Sequence, residues 1–112
     1  MIAHVVLFQP RSDLSTADRD AFTASFERAL TNIPQVRRAR VGERVNLGRF
    51  YDQHNARDFS HVAIVEFDSR DDLVAYLEHP AHQDLGTRFY QIAEATLVYD
   101  FELTDSPSII AR

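Results

Sequence analysis

The densest run of chemically capable side chains is Tyr76-Leu77-Glu78-His79-Pro80-Ala81-His82. Pro80 restricts His79 to extended backbone and breaks the helix that precedes it. Proline also suits the first position of a new helix. His82 then falls at about the third position of that helix, where the positive end of the helix dipole disfavours an imidazolium. A ring held neutral near pH 7 can accept a proton, as a general base must. Tyr76, at the end of the preceding helix, is placed to hydrogen-bond the same substrate oxygen. The same pattern suits a plainer reading, with His79 as a cap on backbone amides and His82 as a satisfied histidine at a helix start.

Two more histidines sit in apolar runs that read as strands. Residues 2–9, Ile-Ala-His-Val-Val-Leu-Phe-Gln, are β-branched, short and ended by Pro10. Ile2, His4, Val6 and Phe8 share one face; Ala3, Val5 and Leu7 share the other. Residues 61–68, His-Val-Ala-Ile-Val-Glu-Phe-Asp, are likewise apolar on both faces. Strands of that kind belong in the middle of a layered structure. Parity puts His4 and His61 on the helix-facing side with Val6, Phe8, Ala63 and Val65. Three histidines and a tyrosine would then converge between sheet and helices, unless His4 and His61 are hydrogen-bonded core residues.

The remaining elements position these groups. Residues 15–31 read as a helix, capped by Ser12, Asp13 or Ser15, with Ala17, Ala21, Phe22, Phe26, Ala29, Leu30 and Ile33 at helical spacing. Residues 36–45 alternate as a half-buried strand, bent near Gly42. The Arg37-Arg38-Arg40 cluster reads as a solvated strand edge, where charge also blocks edge-to-edge pairing. Residues 46–60 are polar and irregular, as in a linker or a lid over a site. Residues 69–78 suit a helix with Ser69 as N-cap and Asp71 and Asp72 in its first turn. The Pro80 helix runs to about Ala93 through Leu85, Phe89 and Ile92. Residues 95–103 form the last strand. The tail, 104–112, is polar except for Ile109-Ile110, a pair expected to dock, most simply on a partner subunit.

Composition narrows the classes of function. The 112 residues include 12 Arg, no Lys and 17 acidic side chains, for a formal net charge of −5. That length suits a single domain with a core of its own. We assign residues 1–103 to the folded domain and 104–112 to the tail. The acidic balance argues against nucleic acid as a partner, since binding it needs a basic face. No run approaches the ~20 apolar residues of a membrane span. Met1 leads into Ile2-Ala3-His4-Val5 with no basic leader, so the expected location is cytoplasmic. The absence of Cys removes thiolate chemistry. His79-x-x-His82 lacks metalloprotease ligand spacing, and Gly42, Gly48 and Gly86 are too dispersed for a phosphate loop. We therefore expect no metal and no cofactor.

The order βα-ββ-αβ is the ferredoxin-like split βαβ pattern of an α+β protein, with a four-stranded antiparallel sheet and helices on one face. Val5, Leu7, Val62, Ile64, Leu97, Tyr99 and Phe101 would line the other face. A single chain would expose them as a large apolar patch. The simplest cover is the same sheet of a second copy, giving a homodimer with a closed or nearly closed α+β barrel.

The opening Ile-Ala-His-Val-Val-Leu-Phe, Pro34-x-Val36 with Val41-Gly42, the His61–Asp68 strand, the Tyr76–His82 motif and Val98-Tyr-Asp100 together resemble the stress-responsive A/B barrel (Dabb) family. The resemblance covers residues 2 to about 102 and implies a dimeric α+β barrel. It contains a cofactor-free polyketide cyclase, which implies His82 as general base and Tyr76 as its assistant. It implies a substrate pocket at His4, Val6, Phe8, Phe22, Phe26, Ala63, Leu85 and Val98. That cyclase has an aromatic at the position of Thr23, a Tyr at that of Phe26 and a Trp at that of Ala93. A differently shaped pocket and another substrate follow.

Three functions are in view. One is a cofactor-free cyclase or lyase for a poly-β-keto or aromatic precursor. Another is a non-catalytic stress or binding protein that holds an apolar or aromatic small molecule. The last is a cofactor-free monooxygenase of aromatic polyketides. The His-Pro-x-His motif favours the family of the first over that of the last.

Overall fold

A computed structural model describes residues 1–112. The chain runs through β1 (Ile2–Pro10), α1 (Thr16–Asn32), β2 (Arg38–Glu43), α2 (Phe50–His54), β3 (His61–Phe67), α3 (Arg70–Glu78), α4 (Pro80–Ile92) and β4 (Ala93–Glu102). A 3₁₀ turn, Pro107–Ala111, follows. The strands form one antiparallel sheet in the order β2-β3-β1-β4. This is the ferredoxin-like arrangement. The two runs apolar on both faces, β1 and β3, are the interior strands, and the arginine-bearing β2 is an edge.

Local chemistry explains the helix boundaries. Of the candidate caps for α1, Ser15 does the work: its hydroxyl accepts from the Asp18 amide at 3.1 Å. Ser69 caps α3 in the same way, accepting from the Asp72 amide at 3.1 Å. The fully buried Ser25 of α1 donates to the Asp84 carboxylate of α4 at 2.6 Å, and Arg28 adds a bond to the same oxygen at 3.2 Å. These bonds tie the two helices that roof the site.

Two hydrophobic clusters lie under that roof. The larger joins Ile2, Ala29, Ile33, Val65, Phe67, Leu73, Tyr76 and Leu85; the smaller joins Phe8, Ala63 and Ile92. The opposite face of the sheet carries no helix. Val5 pairs with Ile64 and Tyr99, and Leu7 with Val62 and Leu97, as parity requires. Tyr99 and Phe101 are 55% and 51% exposed there. Ile110 in the 3₁₀ turn is 87% exposed on the single chain. No helix is long and apolar enough to cross a membrane.

Two expectations need correction. β2 does not bend at Gly42: its pairing with β3 runs unbroken from Arg38↔Glu66 to Glu43↔His61. A Cβ at Gly42 would meet Val62 at an ordinary 3.5 Å, so the glycine is not forced by crowding. The irregularity falls instead at Gln9/Pro10 in the β1–β4 ladder, where proline has no amide to give. The 46–60 segment is not wholly irregular either. The Asp52 carboxylate accepts the amides of Leu47 and Arg49, which starts the short helix α2. Burial and the Arg44 guanidinium oppose each other there, and the backbone bonds hold the Asp52 pKa low.

Candidate functional site

The sheet register and one proline set the geometry. His4 of β1 lies opposite Val65 of β3 and Asp100 of β4, so all three share a level of the sheet. Helix α3 ends where α4 begins, at His79. The His79 amide closes α3 on the Tyr76 carbonyl at 3.2 Å. Its imidazole Nδ1 then accepts from the Ala81 amide at 3.0 Å and caps α4, with Pro80 at the first helical position. Two helices thus meet at one residue, which sets Tyr76 and His82 side by side. His79→Ala is expected to cost about 0.5–2 kcal/mol of stability, the usual worth of an N-cap. Urea unfolding measures this, and an unchanged midpoint would contradict the capping role.

A cavity of about 240 Å³ opens between the helices and the sheet, along the seam of the two hydrophobic clusters. His4, Tyr76 and His82 line one end. Val6, Phe8, Phe22, Phe26, Ala63, Leu85 and Val98 line the rest, together with Val65, Leu77, Gly86, Phe89 and Tyr90. The ring centroids of Tyr76 and His82 are 4.6 Å apart; His4 is 6.0 Å from Tyr76 and 6.5 Å from His82. Tyr90 and Val98, 70% and 42% exposed, mark the mouth. Phe8, Phe22 and Phe26 also wall an outer chamber of about 640 Å³, whose rim carries Arg19, Thr23, Glu27, Glu43 and His61. Ligand sites usually measure about 300–1,000 Å³. The inner cavity lies just below that range and suits a small molecule of few heavy atoms; the outer chamber lies within it.

Burial shapes the electrostatics. It pushes the His82 pKa below its ordinary value of 6.5, and nearby His4 pushes the same way, while a bond to the Leu77 backbone opposes both. His82 is therefore a neutral imidazole at pH 7. Burial alone raises the Tyr76 hydroxyl to about 12, so it keeps its proton and stays a donor. The His82 shift has a consequence for stability. Between the depressed folded value and 6.5 the unfolded chain binds the extra proton, so stability falls as pH drops through that window and is fully present above it. His82→Gln is expected to flatten the loss of unfolding free energy between pH 7 and pH 5; an unchanged slope would contradict a buried neutral His82.

His61 does not join this group. Its partner on β1 is Phe8, at the far end of the strand from His4. It stacks on the Phe8 ring at 5.4 Å, bonds Ser60 at 2.6 Å and faces the outer chamber. Shared parity put it on the right face, but parity says nothing of position along the strand. Nor is the 46–60 segment a lid here: none of its residues lines the His82 cavity. No group of three His, Cys, Asp or Glu side chains is arranged to hold a metal ion. One polar contact went unread in the sequence. Asp100 Oδ1 sits 2.5 Å from His4 Nδ1. The signal was present in the alternation of β4, which puts Asp100 on the face of Val98.

Fold and cavity together define an α+β sheet-and-helix protein with an apolar chamber that ends in two histidines and a tyrosine. The family model for the stress-responsive A/B barrel domain matches residues 2–103, and the chain belongs to that family. It is 20% identical over 100 residues to olivetolic acid cyclase of Cannabis sativa, covering 89% of this chain and 94% of that one. The solved structure of a hydroxynitrile lyase from Passiflora edulis aligns at a TM-score of 0.77 and 20% identity over 94% of both chains. A dimeric ferredoxin-like protein of unknown function from Thermobifida fusca aligns at 0.69 and 18% identity, over 91% of this chain and 90% of that one.

Proposed function

We propose that the chain is a homodimeric, cofactor-free cyclase or lyase that acts on a small β-keto or aromatic-precursor compound, with His82 as general base. The observation that carries this is a neutral, partly buried imidazole 4.6 Å from a protonated tyrosine in the lining of an apolar cavity. His82 takes a proton from the carbon beside a carbonyl. The Tyr76 hydroxyl donates a hydrogen bond to the oxygen on which charge builds, where burial makes such a bond worth more than in water. Val6, Phe8, Phe22, Phe26, Ala63, Leu85 and Val98 hold the apolar body of the substrate. The relatives named as a cyclase and a lyase support chemistry on a small molecule. The relative named as dimeric and the uncovered sheet face support the homodimer.

The test is incubation with a linear tetraketide thioester and chromatography of the products. Ring-closed product above the spontaneous background is expected from the native chain and not from His82→Ala. Saturable binding without product would mean a ligand-binding protein. Oxygen uptake with an aromatic polyketide would mean a monooxygenase.

A further inference from the structure

We propose that His4 is the proton donor that complements His82, and that Asp100 is the positioning residue that aims it. The proposal rests on the reading of His82 as base and adds the acid half of the reaction. His4 and Asp100 are direct partners across β1 and β4, so their side chains leave the sheet together on the cavity side. The 2.5 Å contact joins His4 Nδ1 to a carboxylate oxygen. A carboxylate accepts and does not donate, so Nδ1 carries the hydrogen. That commits Nδ1 to the sheet and leaves Nε2 on the other edge of the ring, in a side chain that lines the cavity opposite His82.

The two histidines have different neighbours. Asp100 lies against the His4 ring at 2.5 Å; no carboxylate lies beside His82, whose charged form is disfavoured by burial and by His4. A pair of titratable groups in opposed surroundings divides into an acid and a base. Solvent access also differs along the pair. The His4 side chain is 8% exposed and that of Asp100 is 44% exposed, so the carboxylate stands at the edge of bulk water.

The step balances without an oxidant or reductant. His82 takes the proton as the C–H bond beside a carbonyl breaks. The electron pair forms the new C–C bond to a second carbonyl carbon. As that C=O π bond breaks, its oxygen takes the proton from Nε2–H of the doubly protonated His4 ring, which is left as the Nδ1–H tautomer held by Asp100. One proton has passed from carbon to oxygen. His82 then returns its proton to solvent, and His4 regains one at Nε2 from solvent entering the cavity, while Asp100 keeps hold of Nδ1–H. In simple enolisation the oxygen protonated is that of the first carbonyl.

Two measurements test this. Long-range ¹H–¹⁵N spectra of labelled histidines at pH 8 report which ring nitrogen carries the hydrogen. His4 is expected as Nδ1–H in the native chain and in Asp100→Asn, whose amide oxygen still accepts, and mainly as Nε2–H in Asp100→Leu. A neutral tautomer with its hydrogen on Nε2 alone in the native chain overturns the positioning role. Deuterium uptake at C1 of 2-tetralone in D₂O reads the chemistry. His4→Phe and Asp100→Leu are expected to slow it by about 10²-fold, the low end for acid–base catalysis, with a smaller loss for Asp100→Asn. Rates equal to the native rate overturn the acid role while leaving His82 as base. Should His4→Phe fail to fold, the half-exposed Asp100 variants carry the test. If the native chain itself gives no uptake, both catalytic roles fall, and the tautomer spectrum still decides whether Asp100 aims His4.

Discussion

His82→Ala is expected to lower turnover of a tetraketide thioester by about 10²–10⁴-fold, the range lost when a positioned base is removed. Circular dichroism should stay native, because the ring sits at the cavity wall and outside the buried clusters. The nearest titratable neighbours are Tyr76, held protonated by a pKa of about 12, and His4, committed at Nδ1 to Asp100. Tyr76→Phe keeps the packed ring and removes one hydrogen bond to the developing oxyanion, so a loss of about tenfold is expected, the worth of one such bond. His79→Ala should change rate least, since its imidazole faces the Ala81 amide. The order of damage is His82, Tyr76, His79, read from kcat at saturating thioester. Full activity in His82→Ala would remove the base from the mechanism.

Ile64→Asp is expected to abolish the dimer. Ile64 is central on the uncovered sheet face, paired with Val5 of β1 and with Arg40 of β2. Around it lie Val62, Leu7, Tyr99 and Phe101, a surface of the kind that marks an interface. A standard interface buries about 800 Å² per partner, and two such sheets face to face should reach it. A carboxylate placed there loses water without gaining a partner, at a cost of several kcal/mol. Light scattering at micromolar concentration should give about twice 12.9 kDa for the native chain. For the variant, monomer or aggregate is expected. A native chain that ran only as a monomer would contradict the interface, and an unperturbed dimer in the variant would place it elsewhere.

The fold was legible because each element carries its own period and its own punctuation. The doubly apolar runs of β1 and β3 announced interior strands, Ser15 and Ser69 announced helix starts, and Pro80 announced the break that sets His82 beside Tyr76. The cavity lining was legible only in part from pattern. Leu85 and Phe89 follow the helical stripe of α4, and Val6, Phe8 and Ala63 follow strand parity. Phe22 and Phe26 needed the family resemblance, because a stripe on α1 does not say which residues face a void. Position along a strand was the harder variable. It separates His4, level with Asp100, from His61, level with Phe8, and it depends on register between strands far apart in the chain. The same long-range pairing hid Asp100, whose partner lies 96 residues away. Helix α2 escaped because a single carboxylate, Asp52, organises it through backbone amides and no apolar period marks it.

Deuterium uptake at C1 of 2-tetralone, compared between the native chain and His82→Ala at pH 7, asks most directly whether this cavity moves a proton from carbon. Saturable uptake above the buffer rate, with an acid limb whose midpoint lies below 6.5 and which vanishes in His82→Ala, is the expected result. An uptake rate equal to that of buffer, or one that survives in His82→Ala, would contradict it.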